Sequence, residues 1–162
     1  MNKLFLICSL VCLIFIQQSC SHYDELMVNG KESKAGDDES HNVGRNCMSC
    51  HNVQGFSEAK QEGGWWYIAG TAYKNGRTAS SKNGWVEFWT GPNRTGTFVY
   101  KLAIDDLGNF YTAKIVRFGN GFYPVLINPD NTVNTYMPSK TTSGACNSCH
   151  STGGVADKIE FK

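Results

Sequence analysis

The 162-residue chain carries almost no net charge and has no lysine- or arginine-rich run. A formal charge of +1 gives no field that would draw the protein to nucleic acid or anionic lipid, so nucleic acid is set aside as a partner. Between residues 65 and 136 apolar residues do not recur at i, i+3, i+4 and i+7, which excludes a helix-rich globular layout there. No block repeats at a solenoid period. No paired carboxylates and no nucleophile–base arrangement stand out, and Asp105-Asp106 reads as turn chemistry rather than catalysis. Histidine is scarce, at four in the chain. A hydrophobic content of 41% fits one globular body with tails rather than a membrane bundle or a disordered chain.

What is present begins at the N-terminus. Met1-Asn2-Lys3 is a short positive region, and Leu4 to Ile16 is apolar apart from Cys8, Ser9 and Cys12. That run is shorter than the roughly 20 residues a membrane-spanning helix needs, so it reads as an export signal. Gln17-Gln18-Ser19-Cys20 follows and resembles the lipobox of bacterial lipoproteins, with Gln17 where Leu is common. The resemblance implies a signal peptide over 1–19, a lipid on Cys20, and an exported protein anchored to a bacterial membrane on the periplasmic or cell-surface side. The alternative is an ordinary signal peptide cut near Ser19 or Ser21. Of seven cysteines, Cys8 and Cys12 leave with the signal and Cys20 takes the lipid. Two pairs remain, Cys47 with Cys50 and Cys146 with Cys149. Residues 20–45 are polar and charged and read as a flexible tether, leaving a body over 46–162.

The body reads as mainly β. Trp65–Tyr73, Trp85–Thr90, Phe98–Ile104, Phe110–Val116 and Phe122–Ile127 are short runs rich in aromatic and β-branched residues, separated by Gly, Asn and Asp clusters. Val86 and Phe88 alternate with Glu87, and Phe98, Tyr100, Leu102 and Ile104 share a face opposite Lys101. Strands at this spacing predict a small antiparallel β-sandwich over about 65–136. Gly70-Thr71-Ala72 and Asp105-Asp106-Leu107-Gly108-Asn109-Phe110 are similar to carboxypeptidase regulatory-like (transthyretin-like) domains across about 66–127. That resemblance implies a Greek-key scaffold without chemistry of its own.

The chemistry sits at the two ends of the body. Cys47-Met48-Ser49-Cys50-His51 and Cys146-Asn147-Ser148-Cys149-His150 both have the Cys-x-x-Cys-His spacing of c-type haem attachment. Two thiols three positions apart can add to the two vinyl groups of one porphyrin, and the next histidine can reach the iron. The covalent bonds hold the group without a deep pocket. The chain resembles dihaem c-type cytochromes in these ten residues, which implies two covalently bound haems with His51 and His150 as axial ligands. A disulfide within each pair or one zinc held by four thiols are the alternatives, and both leave the two histidines without a role.

The sixth ligand decides what each iron can do. Met137, in Tyr136-Met137-Pro138, resembles the Met-Pro loop that supplies a thioether in Met/His cytochromes. His41 is the second candidate. His22 and Met27 read as tether residues and Met48 as packing at a haem edge. Trp65, Trp66 and Tyr67 are either a cover for the first haem or the start of a core strand. With both irons six-coordinate the expected role is electron transfer between redox partner proteins rather than catalysis. A haem enzyme or gas sensor with one open iron, and a non-haem binding or adhesion module, remain alternatives.

Overall fold

The computed structural model describes residues 30–51 and 65–162. The export signal, Cys20, His22 and Met27 lie outside the described residues. Seven strands form two sheets. In chain order they are β1 (Ile68–Tyr73), β2 (Trp85–Trp89), β3 (Phe98–Ala103), β4 (Asn109–Thr112), β5 (Tyr123–Ile127), β6 (Val133–Tyr136) and β7 (Ile159–Glu160). One sheet has the order β4-β1-β7 and the other β3-β2-β5-β6. The protein is a mainly β, two-sheet sandwich. All pairings are antiparallel except β1 with β7, where Ala72 pairs in parallel with Ile159.

Alternation decides what each face does. Ile68, Ala72 and Phe110 point inward from the three-stranded sheet and meet Val86, Phe88, Leu102 and Leu126 from the other, forming the buried core with Ile104, Val116 and Phe122. Burying side chains of this size is worth about 1.5–3 kcal/mol each. The turn into β4 is built as its sequence predicts. Asp105 Oδ1 accepts the amides of Leu107 (3.0 Å) and Asn109 (2.8 Å), and Gly108 takes φ +86°, a left-handed conformation that glycine adopts without strain.

Three features differ from the sequence expectation. The run from Trp65 becomes a strand only at Ile68. Glu87, which alternates with the core residues Val86 and Phe88, is nonetheless 3% exposed. It accepts Trp89 Nε1 at 3.0 Å and pairs with Arg94 at 3.0 Å and Lys101 at 3.5 Å, so those long side chains roof it over. Residues 30–45, expected within a tether, pack against the body. Glu32 bridges Thr112 in antiparallel fashion, the Ala113 amide donates to the Lys31 carbonyl at 2.8 Å, and buried Ser33 donates from Oγ to the Ala103 carbonyl at 2.7 Å.

Candidate functional site

Both Cys-x-x-Cys-His segments converge on β1. Its inner-face residues alternate with Ala69, Thr71 and Tyr73 on the outer face, which in β4 are matched by Asn109 and Tyr111. The first segment lies over that outer face. Cys47–Ser49 forms a 3-10 turn, and the His51 amide donates to the Cys47 carbonyl at 2.9 Å. The His51 ring stacks on Trp66 with centroids 3.8 Å apart and planes within 4°. Trp66 in turn stacks on Tyr111 at 4.3 Å. The Trp66 amide donates to the His51 carbonyl at 3.1 Å. A column of three rings therefore rises from the sheet and fixes the imidazole plane. Among Trp65, Trp66 and Tyr67, Trp66 is the one stacked on His51, and the strand starts after all three.

The second segment docks on the side of β1 away from β4, ahead of the stretch that pairs with β7. Ala145 bridges Ala69 in parallel, and the Ala69 amide donates to the Gly144 carbonyl at 2.9 Å. A single helical turn, α1 (Cys146–Cys149), follows. Gly70 is required opposite it: a Cβ there would overlap the Phe110 ring and lie 2.9 Å from Cys146 Cβ. Cys146 thus faces the inter-sheet side and Asn147 the outer side. A cavity of about 250 Å³ opens there, lined by Val86, Phe110, Pro124 and Leu126, by Cys146, Cys149 and His150, and by Met137 and Pro138. The Met137 amide donates to the Pro124 carbonyl at 3.0 Å, which ties the Met-Pro loop to β5.

Asn147, Thr71 and Asn109 hold the two segments as one unit. Asn147 is 2% exposed. Its Oδ1 accepts the Thr71 amide at 3.0 Å, and its Nδ2 donates to the Arg45 carbonyl at 2.8 Å and to Thr71 Oγ1 at 3.0 Å. Thr71 Oγ1 accepts the Gly44 amide at 3.0 Å and donates to Asn109 Oδ1 at 2.6 Å. Asn109 Nδ2 reaches Ser40 Oγ at 2.9 Å and the His41 carbonyl at 3.4 Å. Thr71, Asn109 and Asn147 are all buried and hydrogen-bonded, the condition under which such a network rigidifies a site. Thr71 and Asn109 belong to the segments that carry the transthyretin-like resemblance, but nothing in the sequence joins them to Asn147. Two fill ordinary strand positions, and Asn147 is a spacer of its motif.

Burial dominates the electrostatics. It pushes the Cys146 thiol up to about 12, with the Cys47 and Cys149 thiols adding to the rise, and the Cys47 thiol up to about 11. Both residues are half-buried at the surface, but their sulfurs face protein. Burial also raises Asp105, against hydrogen bonds from Ser40, Asn109 and Leu107 that lower it. Cys50 and Cys149 are exposed, and all four cysteines are free thiols.

These residues fit a covalently held haem, most clearly at the second segment. His150 Nδ1 lies 2.6 Å from the Asp157 carbonyl. The carbonyl can only accept, so Nδ1 carries the proton and Nε2 keeps its lone pair for a metal. The cavity is smaller than the roughly 300–1,000 Å³ of a pocket that encloses a ligand, as suits a group held by thioether bonds with one edge outside. Arg77, Lys158 and Lys162 also lie on its wall, Arg77 already paired with Asp157 at 2.9 Å and Glu160 at 2.8 Å. Among the described residues no three His, Cys, Asp or Glu side chains converge to hold a bare metal ion. At the first segment the candidate His41 has its ring centroid 6.0 Å from that of His51, tilted by 39°. Comparison with protein-family models, curated proteins and solved structures finds no match to this chain.

Proposed function

We propose that the protein is an electron-transfer protein with two covalently attached c-type haems, held at a bacterial membrane surface by a lipid on Cys20. The observation that carries this reading is the second segment. Two thiols and a histidine whose Nε2 is left for a metal face one apolar cavity, and a thioether lies in its wall. Attachment adds each Sγ–H across a vinyl group: the sulfur bonds one carbon, the proton goes to the other, and no electrons are exchanged. When bound, each haem supplies a one-electron couple. The residues do the rest. Cys47, Cys50, Cys146 and Cys149 anchor, His51 and His150 ligate, Trp66 and the sandwich edge exclude water, and the Asn147 network fixes the spacing. The Cys-x-x-Cys-His motifs, similar to those of dihaem c-type cytochromes, and a mainly β two-sheet scaffold support this reading. Redox proteins are its partners, and no substrate pocket separate from the haem site is invoked.

The test is expression of the full chain with the c-type maturation machinery, followed by intact mass and a haem stain on a denaturing gel. Two haems per chain, retained under denaturation, are expected. A colourless mature protein overturns the reading and leaves a non-haem β-scaffold. A CO difference spectrum of the reduced protein separates relay from gas sensor, since six-coordinate irons give no adduct.

A further inference from the structure

We infer that the two haem sites are unequal and ordered, with His41 ligating opposite His51 and Met137 opposite His150, so that electrons run from the first site to the second. This rests on the dihaem reading above but adds an assignment that the sequence leaves open.

The assignment follows from which candidate lies at which segment. Metal–imidazole bonds of about 2.0–2.1 Å from opposite sides of one metal hold the two ring centres on the order of 6 Å apart. His41 and His51 stand at 6.0 Å. The His41 segment is tethered there, because Asn109 Nδ2 donates to Ser40 Oγ at 2.9 Å and to the His41 carbonyl at 3.4 Å. Met137 instead shares the inter-sheet cavity with Cys146, Cys149 and His150, and its amide is tied to the Pro124 carbonyl at 3.0 Å. His41 lies beside His51 and the outer-face residue Asn109, whereas Met137 lines the inter-sheet cavity with His150, so each candidate sits at a different segment. Each is presented by backbone already anchored, which suits a weak thioether ligand best.

Ligand chemistry then sets the order. A thioether opposite histidine raises the potential, because soft sulfur favours the lower oxidation state. The His41/His51 site is therefore the low-potential site and the Met137/His150 site the high-potential one. With haem bound at both sites, one electron would pass per step from a ferrous iron held by His41 and His51 to a ferric iron held by Met137 and His150, with no atom transferred. A one-electron protein donor reduces the first site and a one-electron protein acceptor oxidises the second. The Asn147–Arg45 hydrogen bond at 2.8 Å spans the two segments directly and keeps the sites at a fixed separation.

The experiment is an optical redox titration of the full-length, two-haem protein and of His41→Met and Met137→His. Two resolved waves are expected in the parent. Met137→His should lower only the upper wave, merging it toward the lower, and abolish any thioether-to-iron charge-transfer band. His41→Met should raise only the lower wave. His41→Ala, a change at an exposed position, should open that iron to CO while the other stays closed. A two-haem protein with a single unsplit wave, or variants that leave both waves in place, overturns this assignment while the dihaem reading stands. A protein without haem overturns both.

Discussion

The two Cys-x-x-Cys-His segments share a spacing and little else. The first is a 3-10 turn laid over the outer face of the three-stranded sheet, its histidine stacked on Trp66 and through it on Tyr111. The second is one α-helical turn at the sheet edge, its histidine tied by Nδ1 to the Asp157 carbonyl and its thiols facing an inter-sheet cavity. The motif fixes which atoms can attach and ligate. On the proposed dihaem reading, the strand beside it would fix what else could reach the metal, and hence how strongly the metal would hold an electron.

The largest effect should come from cutting the comparison in half. Cys146→Ala with Cys149→Ala should remove one haem from the intact mass and leave the first site's spectrum; Cys47→Ala with Cys50→Ala should do the converse. Loss of both haems from either variant would mean that the segments do not load independently. Next in size is the tie between them. Asn147→Leu leaves the buried Thr71 amide and the Arg45 carbonyl without their partner, at about 1–3 kcal/mol for each unpaired group. A drop in the urea midpoint, with broadened potentials at both sites, is expected; an unchanged midpoint would show the network to be dispensable. Gly70→Ala strikes only one side. Its Cβ would meet Phe110 and Cys146, and overpacking of this kind costs about 1–3 kcal/mol. Haem loading at the second site should fall while the first persists.

Trp66→Leu strikes the other side. It removes both stacking contacts of the ring column, each worth about 0.5–1.5 kcal/mol. It should release the His51 ring plane, read as changed electron paramagnetic resonance g-values at the first site alone. An identical spectrum would reduce Trp66 to simple packing.

The sequence makes the motifs and the fold class legible because both rest on local spacing. Cys-x-x-Cys-His is contiguous, and alternation around Val86, Phe88 and Leu102 assigns an inner face without knowledge of the partner sheet. What it hides is whatever a distant segment supplies. Glu87 alternates with the core residues Val86 and Phe88, and only the fold shows Trp89, Arg94 and Lys101 covering it. Residues 30–45 look like a tether because they hold on through backbone hydrogen bonds, which leave no apolar period. The two-residue strand β7 is too short to show a pattern, and its parallel pairing depends on where α1 releases the chain. His41 could be named as a candidate ligand but not allotted to a segment, since only the fold brings its ring to 6.0 Å from that of His51.

The smallest effect concerns the thiols before haem is attached, and it separates the segments once more. Burial holds the Cys47 thiol near 11 and the Cys146 thiol near 12, against an ordinary value of 9.0. The folded haem-free chain therefore binds these protons more tightly than the unfolded chain does. Their contribution to stability is complete below about pH 9 and is lost as pH rises through the folded values; Tyr111, raised by burial to about 12, acts in the same direction. Thermal melts of the haem-free protein should be insensitive to these groups near neutrality and fall progressively above pH 9. Timed alkylation at pH 8 should label exposed Cys50 and Cys149 first, because the thiolate is the reactive form and must be accessible. Cys47 should follow and Cys146 come last, since one unit of pKa leaves about tenfold less thiolate. Labelling of Cys146 before Cys50 would show that the second segment leaves the β1 edge in the haem-free chain, so that its cavity forms only as the haem is bound.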